Sequence, residues 1–275
     1  MILYPNASTQ LYGIIGHPVR HSLSPIMHNN AFKKRKINAI YLAFDVTNLE
    51  AAIAGIKALG IRGLSVTIPH KEAVMKYLDD IDDMAKRIGA VNTIINREGK
   101  LLGSNTDWLG AVRALEEVIA LKGKKVLIIG AGGSARAICI GIRDKGANVH
   151  IANRTISKAK SLAYLCGASF SGIDELNNIS NDFDILINTT PVGMSPNEDK
   201  IIIDPKVLSN FKVVMDIVYS PVETLLLKEA KKRGCKTVSG LKMLLYQAIA
   251  QFELWINQLA PIEEMERALL EAINS

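Results

Sequence analysis

The run Gly130-Ala131-Gly132-Gly133-Ser134-Ala135 fits the pattern G-x-G-x-x-G/A, with alanine in the last place. It follows the apolar stretch Val126-Leu127-Ile128-Ile129 and opens a helical pattern, the strand-to-helix setting in which such a loop works. Glycines permit a tight turn and close approach of backbone to ligand, and a helix N-terminus offers free N–H groups to a pyrophosphate. The loop therefore predicts dinucleotide binding. An NAD site places Asp or Glu about 20 residues further on, where it holds the ribose hydroxyls. Here that place reads Asn153-Arg154-Thr155. With no carboxylate to repel it and a guanidinium to pair with it, an adenosine 2′-phosphate is the better guest, and NADP is expected over NAD with Lys158 as a second basic contact.

A second set of residues lies in the first third of the chain. Ser22, Ser24, Thr67, Lys71, Asn92 and Asp107 fall at strand ends or loops, where an α/β sheet binds its ligands. Taken singly, each is an ordinary cap or turn former. Together they suit a small polyhydroxylated acid: hydroxyls can hold a carboxylate, an amide can read hydroxyl groups, and a Lys/Asp pair can manage a proton while an alcohol is oxidised. His70 titrates more conveniently than Lys71, but on a helix starting at His70 the two side chains point about 100° apart, so His70 is read as structural. His17, His21 and His28 show no metal-ligand spacing, and no metal is expected.

Alternating β-rich and helical patterns position these residues and predict an α/β architecture with largely parallel sheets. Strands are expected at Leu11 to Gly16, Ala39 to Val46, Leu64 to Ile68 and Val91 to Asn96, with helices at Pro25 to Lys36, Leu49 to Leu59 and His70 to Leu78. A second series has strands at Lys125 to Ile129, Asn148 to Ala152, Asp184 to Asn188 and Val213 to Val218, and helices from Ser134 and Ser157. After a short strand ending near Ser239, the residues Leu241, Leu244, Leu245, Ala248, Phe252, Trp255 and Ile256 recur at helical spacing and read as core packing. A last helix begins after Pro261.

The chain has 275 residues, 48% of them apolar and 22% charged, which suits two globular domains and excludes a disordered chain. No stretch is apolar enough to span a bilayer, and Met1 to Asn6 carry no signal-peptide pattern, so a cytoplasmic place is expected. The scattered Cys139, Cys166 and Cys235 predict neither a disulfide framework nor structural zinc. The net charge of +6 is interspersed and aromatics are only 5%, which argues against a nucleic-acid surface.

Beyond single motifs, the chain resembles the shikimate dehydrogenase family. The resemblance rests on Gly16 with Ser22-Leu23-Ser24-Pro25, Ser65-Val66-Thr67-Ile68-Pro69-His70-Lys71, Gly89-Ala90-Val91-Asn92-Thr93, Asn105-Thr106-Asp107-Trp108-Leu109-Gly110, Gly130 to Arg136, Asn153-Arg154-Thr155, Asn188-Thr189-Thr190-Pro191-Val192-Gly193-Met194 and Asp216-Ile217-Val218-Tyr219, in that order. It implies a reversible, NADPH-dependent reduction of 3-dehydroshikimate to shikimate on the way to chorismate and the aromatic amino acids. It implies that Ser22 and Ser24 bind the substrate carboxylate, that Thr67, Asn92, Tyr219 and Gln247 complete the pocket, and that Lys71 and Asp107 are the catalytic pair. The cofactor would meet Gly130, Ala131, Gly132, Gly133 and Ser134, then Asn153, Arg154, Thr155, Ile156, Ser157 and Lys158, then Ile217 and Gly240, with Asp83 added to that set. One departure is Lys158, where the family often carries arginine.

The expected organisation is an N-terminal α/β substrate domain over 1–105, completed by C-terminal helices 241–275 that return to it, and a Rossmann-like NADP-binding domain over 106–240. A quinate or dual quinate/shikimate dehydrogenase is the alternative within the family, and a non-catalytic NADP-binding sensor is the alternative outside it. The expected partners are the small-molecule substrate and no nucleic acid or membrane, in a monomer or homodimer.

Overall fold

The structure is a computed structural model that describes residues 5–273; Met1 to Tyr4 of the N-terminal segment read above lie outside the described residues. Up to residue 106 the elements are β1 (Gln10–Gly16), α1 (Ser24–Arg35), β2 (Ala39–Asp45), α2 (Leu49–Ala58), β3 (Gly63–Val66), a 3-10 turn (Ala73–Tyr77), β4 (Asp80–Ile81), α3 (Asp83–Ile88), β5 (Thr93–Arg97) and β6 (Lys100–Ser104). They are followed by α4 (Asp107–Glu116), β7 (Lys125–Ile129), α5 (Gly133–Asp144), β8 (Asn148–Asn153), α6 (Ile156–Cys166), β9 (Ser169–Gly172), the short α7 (Leu176–Ile179), β10 (Ile185–Asn188) and β11 (Val213–Asp216). The chain ends with α8 (Leu225–Lys232), β12 (Lys236–Ser239), α9 (Gly240–Ile256) and α10 (Ile262–Ile273). Among the described residues no helix is long and apolar enough to cross a membrane.

The chain divides into two compact units, one from the residues up to Thr106 and from Gln247 onward, the other from Asp107–Tyr246. The second division falls inside α9, later than the 240/241 boundary expected above. The first two turns of α9 bury Met243 in the core of the second unit and pack Tyr246 against it.

The sheet of the first unit has the order β2-β1-β3-β5-β6-β4. β1 is parallel to β2 and β3 and β4 is parallel to β6, as expected of a largely parallel sheet, while β5 runs antiparallel to both β3 and β6. β5 and β6 are joined by a two-residue hairpin at Glu98-Gly99, both with positive φ (52° and 87°), the combination that matches strand twist in a tight connection. The helix expected over His70 to Leu78 is corrected: only the 3-10 turn forms. The Lys71 carbonyl accepts from Val91 N at 2.8 Å and so is diverted from the i to i+4 ladder that an α-helix requires. Ile15, Leu64, Val66, Val91, Ile94 and Leu101 bury one core with Ile53 and Ile56 of α2. Around α1 and α9 an aromatic cluster forms, with the Phe32 ring 5.8 Å from Phe252 and 5.2 Å from Tyr12.

In the second unit the order is β12-β11-β10-β7-β8-β9, every pair parallel. Counted within the unit this is the doubly wound dinucleotide-binding order 3-2-1-4-5-6 read from the other edge. β7, β10 and β11 lie in the middle and are buried almost throughout, which is why they read as short continuous apolar runs. Their order puts the topological switch between β7 and β10, directly beside the glycine loop.

Candidate functional site

In the first unit, the polar residues gather at one edge of the sheet. The chain leaves β1 and β3 at this edge, enters β5 there because β5 is antiparallel, and leaves β6 there. Ser22 and Ser24 lie at the entry to α1, where the Ser22 hydroxyl accepts from Ser24 N at 3.3 Å. The N-cap residue of α1, Leu23, supplies no side-chain cap, so the N–H groups of the first turn stand beside two hydroxyls, a suitable seat for a carboxylate. Thr67 follows β3, with its N–H donating to Ile15 O at 2.9 Å. Lys71 lies in the turn after it, half-buried.

Asn92 is the most constrained of these residues. It is 2% exposed. Its side-chain oxygen accepts from the Thr106 backbone N–H at 2.8 Å and from the Thr93 hydroxyl at 2.7 Å. Its amide nitrogen donates to Thr106 Oγ1 at 3.0 Å and, more weakly, to Gln247 Oε1 at 3.5 Å. Asn92 and Gln247 are thus brought together from distant parts of the chain. His70, beside Lys71, is buried and donates through Nε2 to Val46 O at 2.8 Å. The structural reading of His70 therefore rests on that bond, and the helical geometry invoked for it above is absent. Asp83 opens α3 with a fully exposed side chain, 3.9 Å from Lys86.

In the second unit, Gly130 has φ +114°, and a Cβ there would lie 2.3 Å from Thr189 Oγ1, so the loop after β7 closes on the loop after β10 only with glycine in place. Gly132 and Gly133 have open space where a side chain would project, and α5 begins there without a side-chain cap. The protein itself does not demand glycine at these two positions. A pyrophosphate approaching the backbone does, and the loop fits one. Ala131 and Ser134 complete the turn. At the end of β8, Asn153 turns the chain by donating to Thr155 O at 3.0 Å; Arg154, Ile156, Ser157 and Lys158 are exposed around the uncapped start of α6. The stretch 153–158 that ends β8 and opens α6 contains no Asp or Glu.

The loop after β11 carries Ile217 and Tyr219. It is held by Asp216, which is fully buried and accepts from Asn188 Nδ2 at 3.0 Å, Val218 N at 3.1 Å and Thr224 Oγ1 at 2.7 Å. Burial raises its pKa to about 6, outweighing the three donors. Burial also raises the Tyr219 phenol, so it stays protonated. Gly240 packs so closely on this loop that a Cβ would lie 2.3 Å from Ile217 O. Asp107 opens α4, where its charge suits the helix N-terminus.

Comparison with known proteins agrees along the chain. The profile of the shikimate dehydrogenase substrate binding domain matches residues 14–94, that of shikimate / quinate 5-dehydrogenase residues 113–204, and that of the shikimate 5′-dehydrogenase C-terminal domain residues 240–270. A shikimate dehydrogenase (NADP(+)) of Methanocaldococcus jannaschii is 49% identical over 98% of this chain and 99% of its own. This chain belongs to the shikimate dehydrogenase family. Among solved structures, a shikimate dehydrogenase in complex with NADP+ superimposes with a TM-score of 0.94 at 48% identity, covering 99% of this chain and 98% of that one. One from Thermus thermophilus, in complex with NADP(H) and shikimate, gives 0.88 at 36% identity over 96% and 100%.

Within this family frame, several residues that matter to the site carried no role in the sequence reading. Thr93 and Thr106 stand inside quoted motifs, yet only the fold shows both holding the Asn92 amide. Asp216 stands inside a quoted motif too, and only the fold shows it clamping the 217–224 loop. Gln251, which donates to the Asn92 backbone oxygen at 3.1 Å, gave a usable signal, a glutamine one helical turn after Gln247 on a stripe otherwise read as apolar.

Proposed function

We propose that this protein is a shikimate dehydrogenase, catalysing the reversible NADPH-dependent reduction of 3-dehydroshikimate to shikimate. The reading is supported by the polar strand ends of the first unit, near which Ser22, Ser24, Thr67, Lys71 and Asn92 fall, with Asn92 donating to Gln247 of α9, in a chain of this family. In this reading Ser22, Ser24 and the start of α1 take the substrate carboxylate. Thr67, Asn92, Gln247 and Tyr219 read the ring hydroxyls. Lys71 takes the proton from the reacting hydroxyl during oxidation and returns it during reduction, while Asp107 orients the hydroxyl and the ammonium.

NADP, when bound, supplies the hydride acceptor or donor. The residues that hold it are the loop Gly130 to Ser134 for the pyrophosphate, Asn153 to Lys158 for the adenosine end, and Ile217 with Gly240 beyond. Arg154 pairs the 2′-phosphate, with Lys158 adding charge without a planar fork. In this reading the first unit supplies Ser22, Ser24, Thr67, Lys71, Asn92 and Gln247 to the substrate, and the glycine loop with residues 153–158 of the second unit binds the cofactor.

The test is NADP+ reduction with shikimate and quinate side by side. Turnover of shikimate with at least tenfold higher kcat/KM than quinate supports the reading. Faster turnover of quinate would reassign the substrate, and NADP+ binding without turnover of either would make the protein a sensor.

A further inference from the structure

Two of the cysteines, far apart in sequence, meet in the second unit. Cys139 lies in the middle of α5 and is fully buried, while Cys166 is the last residue of α6 and is half-buried against the same core. The Cys139 thiol is in hydrogen-bonding contact with Cys166. That contact and burial both raise the Cys139 pKa, so its sulfur keeps its proton and faces Cys166 as S–H. Cys235 is buried elsewhere, in the cluster around Leu208, and donates to Leu208 O at 3.1 Å.

A charge stands beside the pair. Arg143 follows Cys139 by one turn of α5 and so shares its face. Both residues meet the end of α6: a Cβ on Gly167, the residue after Cys166, would lie 3.1 Å from Arg143 Nη2. The last turn of α6 carries no basic residue of its own, and the C-terminal end of a helix disfavours a thiolate. The Arg143 guanidinium supplies the opposing charge there, which gives the electropositive, partly exposed setting in which a cysteine reacts.

We propose that Cys166 and Cys139 form a peroxide-sensitive dithiol site, with Cys166 as the sulfur that reacts and Cys139 as the sulfur that resolves it. In the first step the Cys166 thiolate attacks one oxygen of hydrogen peroxide and the O–O bond breaks. Cys166 becomes a sulfenic acid, and the departing hydroxide takes up the proton that the thiol had released, forming water. In the second step the Cys139 sulfur attacks the Cys166 sulfur, the S–O bond breaks, and the hydroxyl leaves as a second water with the Cys139 proton. Two thiols are oxidised to one disulfide and one peroxide is reduced to two waters. Exposure sets the division of labour, since the oxidant reaches Cys166 and not Cys139. Closing the bond to about 2.05 Å brings the sulfurs nearer than a hydrogen bond does, and the fraying last residue of a helix is where the backbone gives most readily. Neither step uses the cofactor or the substrate, so the site is independent of the proposed function.

The test treats the reduced full-length protein with hydrogen peroxide, counts thiols after denaturation and maps the peptides. The expected result is a fall from three thiols to one, with the Cys139 and Cys166 peptides joined, Cys235 still reduced, and full recovery in dithiothreitol. Cys166→Ser should keep its remaining thiols at the same dose. In Cys139→Ala the sulfenic acid on Cys166 should persist and be captured by dimedone. Arg143→Gln should slow the oxidation about 3- to 10-fold, tenfold being the effect of one pKa unit on the thiolate fraction. Survival of all the thiols in the folded wild-type protein, at a peroxide dose that oxidises glutathione, would overturn the proposal, and this measurement needs no variant to fold. A Cys166–Cys166 bridge between two chains in place of the internal one would overturn the role of Cys139.

Discussion

Lys71 and His70 are neighbours, and the His70 ring is held to Val46 O. The expected result of Lys71→Ala is a fall in kcat of about 100-fold or more, with the shikimate KM changed less. His70→Ala should leave kcat within a few fold and lower the melting temperature, because it removes a buried hydrogen bond. Steady-state kinetics on both variants decides, and a larger kcat loss for His70→Ala would transfer the proton role. At the other ligand, Arg154→Ala should weaken NADP+ by about 10- to 100-fold and leave NAD+ nearly unchanged, since a charge-assisted pair is worth about 1.5 to 3 kcal/mol and only NADP+ carries the 2′-phosphate. Equal losses for both cofactors, measured by fluorescence titration, would show that Arg154 supports the fold.

Elements place these residues through their ends. The junction of β12 and α9 lies on the loop after β11, and the contact leaves no room for a side chain: a Cβ on Gly240 would lie 2.3 Å from Ile217 O and 2.8 Å from Val218 O. Both are backbone atoms, which cannot swing away. Gly240→Ala is therefore expected to cost about 1 to 3 kcal/mol and to raise the KM for NADP+, because the displaced backbone carries Ile217. Gly55 in α2 is the contrast, with open space around its Cβ position. Gly55→Ala should stabilise by about 0.5 to 1 kcal/mol through helix propensity alone. Urea denaturation of the two variants checks both signs.

Across the whole molecule, the two units respond to acid through different buried groups. In the first, His28 is fully buried against Tyr41, with ring centroids 4.5 Å apart, and neither of its ring nitrogens has a hydrogen-bond partner among the described residues. Burial pushes its pKa down to about 3. Its neutral form is the folded form, so the stability it allows is complete above pH 6.5 and is lost as pH falls toward 3, at up to about 1.4 kcal/mol per unit. Asp216 in the second unit has the opposite sign. Its pKa is raised to about 6, so its contribution is present below pH 3.8 and is lost as pH rises through 6. His150, lowered chiefly by burial, works against it in the same unit.

The chain has two tryptophans, Trp255 in the first unit, with its ring 5.1 Å from His28, and Trp108 in the second, against Gly141. Urea unfolding of Trp108→Phe, followed through Trp255 between pH 6.5 and 4.5, should show falling stability that His28→Phe flattens. In Trp255→Phe, followed through Trp108, Asp216→Asn should steepen the acid loss. An unchanged pH slope in either pairing would show that the buried group does not titrate as described.

The sequence by itself determined the α/β class, the glycine loop, the basic residues in place of an acid after β8, and the polar residues at strand ends. These are local matters: turns, periodicity and residue chemistry are decided within a few neighbours. Several features belonged to the tertiary structure alone. The antiparallel β5 and β6 are joined by a Glu98-Gly99 turn whose first residue is not a usual turn former. The helix expected after His70 yields to the Lys71 carbonyl bonding Val91, twenty residues away in sequence. The buried hydrogen bonds from Tyr41 through Ser65, Gln251 and Thr93 to Asn92 join residues from β2, β3, β5 and α9, a meeting that exists only after the sheet has formed. Residue types tell which groups can donate or accept; only packing decides which of them meet.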